Sequence, residues 1–276
     1  MMNHTLASVT PNVDSGKWIE RLARWGFAAK GVVYVLIGIL AVMAAIGQDK
    51  NSASKSGVAQ MIFEQPFGKF LAIILVIGLF GYVVWRLVEA VNDPHHRGND
   101  TKGILQRIGY GISGLIYAGF AGSIVKAIVG QGQSGGGQAK QNMAAKIMSM
   151  DAGPFLIAAA GIIVMVLGGK YIYKAYKNKF GEKMNMGRMK TELRTWINRI
   201  GKIGYTARGI VWMLIGFFAL RAGLTTNPSD IKGSQGAFNL IEQSTGSWVL
   251  LIVALGVVAY GIYMFVKAKY YQISLH

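Results

Sequence analysis

The sequence predicts an all-α polytopic membrane protein, with six transmembrane helices arranged as three tandem helical hairpins. Three observations carry this. First, 52% of the 276 residues are hydrophobic and 15% are charged, where a soluble domain carries about 25% charged residues. Second, the apolar residues fall in six blocks, at 26–47, 67–91, 104–130, 152–175, 203–223 and 248–266. Each is long enough for a hydrocarbon core of about 30 Å, which a helix of roughly 20 residues crosses. Third, residues 18–90 slide by a constant 178 positions onto residues 196–268 without a gap, so that Trp18-Ile19 meets Trp196-Ile197 and Glu64-Gln65 meets Glu242-Gln243. A fixed period of this kind sets architecture before any motif does.

Taken in order, residues 1–17 hold no apolar run, so no cleavable signal peptide is expected. They read as a disordered cytoplasmic N-terminus. Residues 18–98 form hairpin repeat 1. Its outer connection, 56–65, spaces Val58, Met61, Ile62 and Gln65 as a short amphipathic helix would. Residues 99–179 form repeat 2, related to repeat 1 by a shift of 83: Gly26, Gly31 and Tyr34 meet Gly109, Gly114 and Tyr117. Its second half needs a shift nearer 88, which leaves Lys170 at the place of Tyr82 and Tyr260, and the extra residues fall in the Gly-rich stretch 130–137, read as a flexible loop. Residues 180–195 read as a basic cytoplasmic linker. Residues 196–276 form repeat 3, whose outer connection repeats the amphipathic pattern at 234–243. Each unit returns to its starting side, so all three share one orientation and any symmetry axis runs along the membrane normal. Inverted-repeat transporters differ, since their axis lies in the membrane plane. A pseudo-threefold bundle and a linear row of hairpins both satisfy the pattern.

The net charge is +17, and its placement orients the chain. The N-terminal segment, the second and fourth connections and the tail carry eighteen Lys and Arg, against five in the first, third and fifth connections. Basic residues of short loops stay cytoplasmic, so both termini are expected inside. The same charge attracts anionic inner-leaflet lipids, at about 1 kcal/mol per residue near the surface. Membrane lipids are therefore the expected partners, with a protein partner or a homo-oligomer also open. Nucleic acid is not expected, because no aromatic residues interleave with the basic ones for base stacking.

These patterns suggest a family. Trp18-Ile19 with Gly26-Phe27, then Glu64-Gln65-Pro66-Phe67-Gly68 and Gly78 with Tyr82, resemble the bacterial membrane family known as domain of unknown function 1206, over about 18–268. The resemblance implies repeats of paired membrane helices in a bacterial membrane. It implies no activity, substrate or catalytic residue.

The chemistry within the spans is sparse. There is no Cys, which removes disulfides, thiolate metal sites and a cysteine nucleophile. Paired His95-His96 sits in a Pro- and Gly-marked turn with no third ligand nearby, so no metal is expected, and no motif calls for a cofactor. No phosphate-binding loop or nucleophile elbow occurs, so no enzyme is expected. Glu89 near the inner end of the second helix is expected to pair with a neighbouring Arg or Lys. The intrahelical glycines read as close-packing positions, and the tryptophans and Tyr171, Tyr173 and Tyr176 as interface anchors.

Lys30 and Arg208, with Ser113 at the matching place in repeat 2, lie several residues inside their apolar blocks. A charge at mid-membrane costs about 2.5–3.5 kcal/mol on insertion scales. Snorkelling to the cytoplasmic surface lowers that cost. The sharper reading is an inward-facing basic ring with Arg24, Arg107 and Lys202, which also align across the repeats. Such a ring is a candidate site for an anion or a lipid headgroup. The expected function is a non-enzymatic structural or accessory component of the bacterial inner membrane. The alternative is a small transporter or channel, with a conduit between the hairpins for an anionic solute or lipid. An axial cavity lined by Lys30, Ser113 and Arg208 favours the alternative, and a closed bundle with those residues turned to the lipid interface favours the first.

Overall fold

The computed structural model describes residues 13–47, 58, 62–63, 68–92, 100–129, 136–178 and 191–270. Helices α1 (Val13–Ala45), α2 (Gly68–Val91), α3 (Thr101–Ile128), α4 (Gly136–Met148), α5 (Gly153–Tyr176), α6 (Thr191–Thr225), α7 (Ser234–Thr245) and α8 (Ser247–Tyr270) follow in chain order, with a 3₁₀ turn at Pro228–Asp230. Six of them hold spans long and apolar enough to cross a membrane: α1, α2, α3, α5, α6 and α8. The 24 residues of α2 reach about 36 Å at 1.5 Å per residue. Its outward face carries Phe70, Ile73, Ile77 and Phe80, all exposed, as a lipid-facing surface would.

Local chemistry explains the helix ends. Asp100 caps α3, its carboxylate accepting from the Gly103 N–H at 3.0 Å. Pro154 opens α5, where its missing N–H breaks no helical bond. Gly246 ends α7 at φ 88°, a conformation that L side chains resist. Two boundaries differ from the sequence reading. Helix α1 already runs from Val13, inside the segment read as disordered, because the nearest proline is Pro11. Helix α6 starts at Thr191, inside the segment read as linker, with Glu192 in its first turn, where the helix dipole favours an acid.

The outer connections are structured. α7 buries Ala237, Phe238 and Ile241 against the bundle, as the amphipathic spacing predicted. The matching stretch of repeat 1 lies mostly outside the described residues, though Val58 and Ile62 are helical and buried. The middle connection also carries a helix, α4, whose Ala144 and Met148 pack with Ile157 and Ala222.

Extensive packing joins α2 to α3, α5 to α6 and α8 to α1, and lesser packing joins α1 to α2 and α6 to α8. The close association of the first and last spans excludes a row of hairpins in chain order. The exception is inside the middle hairpin, where α3 and α5 make at most marginal contact among the described residues.

Glycines set these interfaces. A Cβ on Gly31 would lie 3.0 Å from the Gly261 carbonyl oxygen of α8, and one on Gly209 would lie 2.8 Å from the Gly168 carbonyl oxygen of α5. The matching Gly114 faces Arg86 Cβ of α2 at 3.3 Å. In all three repeats this glycine meets the second span of the preceding hairpin. Where no hydrophobic force drives helices together, such close approach raises the dispersion contact that holds them.

Candidate functional site

Every span contributes a tyrosine to the bundle interior: Tyr34 from α1, Tyr82 from α2, Tyr117 from α3, Tyr171 from α5, Tyr205 from α6 and Tyr260 from α8. They form one unbroken path. Tyr82 meets Tyr117 with ring centroids 4.8 Å apart. Tyr117 Oη donates to Tyr34 Oη at 3.4 Å. Tyr34 meets Tyr260 at 4.9 Å, Tyr260 meets Tyr205 at 5.4 Å, and Tyr205 meets Tyr171 at 5.6 Å. Several of these pairs are edge-to-face, the arrangement that the ring quadrupoles favour.

Three cations enter this cluster. Lys30 is 3% exposed. Its Nζ donates to Tyr82 Oη at 2.9 Å and lies over the Tyr82 and Tyr117 rings. Arg86 Nε donates to the same Tyr82 Oη at 2.8 Å, and its Nη1 pairs with the buried carboxylate of Glu89. Glu89 thus finds the Arg partner expected of it.

Arg208, also 3% exposed, stands among rings. Its Cζ lies 4.4 Å from the Tyr260 centroid, 4.6 Å from Tyr34, 4.7 Å from Tyr171 and 5.4 Å from Trp212. Desolvated cation–π contacts of this kind are each worth about 2 kcal/mol or more. A ring face, however, gives no acceptor to an in-plane N–H. Arg208 Nε and Nη1 are buried with no hydrogen-bond partner. Glu89 is the one buried carboxylate among the described residues, and it pairs with Arg86. An ionised guanidinium cannot shed its proton to escape burial. Among the described residues its Nε–H and Nη1–H groups therefore meet no acceptor.

The six aligned candidates divide. Lys30 and Arg208 face the interior, which corrects the snorkelling reading. The neighbouring spans bury both side chains among tyrosines before they can reach a surface. Ser113, at the matching place on α3, is half-buried. Arg24 and Lys202 are exposed, so the helix turn that carries Lys30 and Arg208 inward carries these two outward, and the proposed ring loses them. Arg107 instead closes the end of α2, donating from Nε to the Ala90 carbonyl and from Nη2 to the Val91 carbonyl, both at 2.8 Å. These are the orphan acceptors of a helix end.

The sequence reading missed the tyrosines as a site. Tyr34 with Tyr117, and Tyr82 with Tyr260, were visible as aligned positions. Tyr171 was hidden because it does not align with Tyr82 and Tyr260 in the repeat: Lys170, set at their place, is exposed, and Tyr171 is the residue that meets Arg208. Trp25, Trp196 and Trp248 are exposed as interface anchors would be, whereas Trp85 is fully buried and Trp212 packs on Arg208. His95-His96 lies outside the described residues.

The family model of Domain of Unknown Function (DUF1206) matches the chain three times, at residues 25–93, 108–178 and 203–271. The chain is also 31% identical to the uncharacterized protein YxxB of Bacillus subtilis (strain 168), over 262 residues that cover 95% of this chain and 94% of the relative. No solved structure matches it.

Proposed function

The chain belongs to the Domain of Unknown Function 1206 family, a membership that assigns no activity, and we propose from its interior that it is a small transporter or channel that takes an anionic solute or lipid headgroup between its three hairpins. The observation that carries this is Arg208, buried with two N–H-bearing nitrogens unpartnered. A purely structural role accounts for its contacts with the ring faces but supplies no acceptor for these N–H groups. An unpaired buried charge costs several kcal/mol, and apolar replacements of buried ionic groups are often neutral or stabilising. An arginine held at that cost is explained by an anion that binds it. Lys30, whose ammonium lies over the Tyr117 ring, adds a second positive charge. The tyrosine hydroxyls add donors and acceptors.

The reading places the protein in a bacterial inner membrane with both termini cytoplasmic, supported by the eighteen-to-five distribution of basic residues. It involves no covalent chemistry. Lys, Arg and Tyr here bind and orient an anion.

Thermal unfolding in neutral detergent tests the reading, with inorganic phosphate or short-chain phosphatidylglycerol as probes. At least one anion raises the transition of the wild type. Arg208→Met gains nothing when anion is added, whatever its stability without anion, where the lost cation–π contacts offset the removed cost of a buried charge. Equal responses of the two proteins, or no response from either, would refute the reading.

A further inference from the structure

We infer that the middle hairpin forms a lateral portal, through which an anionic phospholipid of the cytoplasmic leaflet brings its headgroup to Arg208. This deepens the anion-binding reading and rests on it. The three repeats offer an internal comparison. In repeats 1 and 3 the first span seals against the second: a Cβ on Gly26 would lie 2.5 Å from Tyr82 Cα, and one on Gly204 would lie 2.6 Å from Tyr260 Cα. A Cβ on the matching Gly109 would meet nothing within 4 Å among the described residues. One turn on, Ala29 and Ala207 are buried while Ile112 is 50% exposed. A further turn on, Val33 and Val211 are buried while Ile116 is 46% exposed. The face of α3 that should meet α5 is therefore uncovered over residues 109–116.

The opening is bounded. Phe120 and Ile124, further along α3, are buried, so it is confined to the half of the span nearest the basic connections. It lies at the height of the cation cluster, because Ser113 matches Arg208 in the repeat. On the other side of the opening, α5 packs through Gly161 and Gly168 onto Gly216 and Gly209 of α6, and this face of α3 stays uncovered.

The occupant follows from the chemistry at each end of the opening. Its rim is Gly109, Ile112 and Ile116, which solvates an acyl chain and gives a free ion no polar path. Its interior holds the guanidinium whose Nε–H and Nη1–H groups have no acceptor among the described residues, and these take a phosphate. Arg208 lies five residues inside the apolar block that starts at Ile203, about 7 Å along the helix. A cytoplasmic-leaflet lipid need shift inward by only about that much.

The test uses the full chain reconstituted in vesicles of phosphatidylglycerol and phosphatidylcholine, re-extracted in neutral detergent and examined by native mass spectrometry for retained lipid. Wild type is expected to retain phosphatidylglycerol in preference to phosphatidylcholine. Arg208→Met loses that preference. Gly109→Phe, which fills the rim, and Ile112→Trp as a second blocking variant lose retained phosphatidylglycerol but keep the unfolding shift given by inorganic phosphate, which shows that fold and anion site survive. If both blocking variants keep the shift and also retain lipid like the wild type, the portal is refuted and the anion site stands. Wild type stabilised by phosphate but retaining no phosphatidylglycerol also overturns the portal, leaving a site for a soluble anion. Full retention by Arg208→Met overturns the anion reading itself. The chain has no native Cys, so Ile112→Cys gives a single thiol. Its cross-linking to a second copy in the vesicles would assign the open face to a dimer and overturn the portal.

Discussion

A paired substitution, Gly26→Ala against Gly109→Ala, separates a sealed hairpin from an open one without reference to any ligand. The two glycines occupy one place in the repeat, so their intrinsic helix preferences are alike. Replacing glycine by alanine in a helix interior gains up to about 1 kcal/mol in propensity. At Gly109 the new methyl meets nothing within 4 Å, so that gain is unopposed. At Gly26 it would lie 2.5 Å from Tyr82 Cα and 2.7 Å from Tyr82 N, and these are backbone atoms that no rotamer change moves. Ordinary contact requires α1 and α2 to separate locally by about 1 Å, and a gap of that size forfeits a quarter to a half of the dispersion well. Overpacking of this kind costs about 1–3 kcal/mol. The two variants should therefore differ by about 1–3 kcal/mol, since the propensity gain is common to both, with Gly26→Ala the less stable and Gly109→Ala stabilised by up to about 1 kcal/mol. Unfolding by titration of a denaturing detergent, followed by tryptophan fluorescence, measures both. Equal destabilisation of the two would show that α3 and α5 are sealed like the other hairpins, and would sink the asymmetry on which the portal depends.

Glu89→Leu should cost about 3 kcal/mol, because it strands Arg86 in a largely buried position, while Arg86→Met with Glu89→Leu together should recover most of that loss. A double variant as unstable as the single one would show that the pair's geometry is incidental. Arg107→Ala should cost about 1–2 kcal/mol by freeing the Ala90 and Val91 carbonyls at the end of α2. Faster amide exchange in the last turn of α2 is the local signature, and unchanged exchange there would refute the capping role.

Much of the architecture was legible in the residues because it depends on quantities that run along the chain. Span length follows from hydropathy, the hairpins from the repeat, and the helix at Ser234–Thr245 from its amphipathic spacing. The pairing of Glu89 with a nearby cation followed from the cost of burying a lone carboxylate. The packing role of Gly31 and Gly209 followed from their place inside spans. Boundaries were less legible, since nothing in the sequence stops α1 or α6 at the apolar edge.

The tertiary structure alone decided which way the polar residues turn. Lys30 and Arg208 lie at a depth from which a long side chain can reach either a surface or an interior, and the choice depends on how neighbouring spans rotate and what they present. Here those neighbours present six tyrosines, so the cations turn inward. The repeat likewise could not reveal that its middle copy is open. That outcome depends on which interhelix contacts each copy makes, and among the described residues the middle copy makes only one of the two that α2 and α8 make. The pairs Gly161 with Gly216 and Gly168 with Gly209 hold α5 on α6, where dispersion rewards the closest approach of two backbones, and Gly109 of α3 has no comparable contact among the described residues.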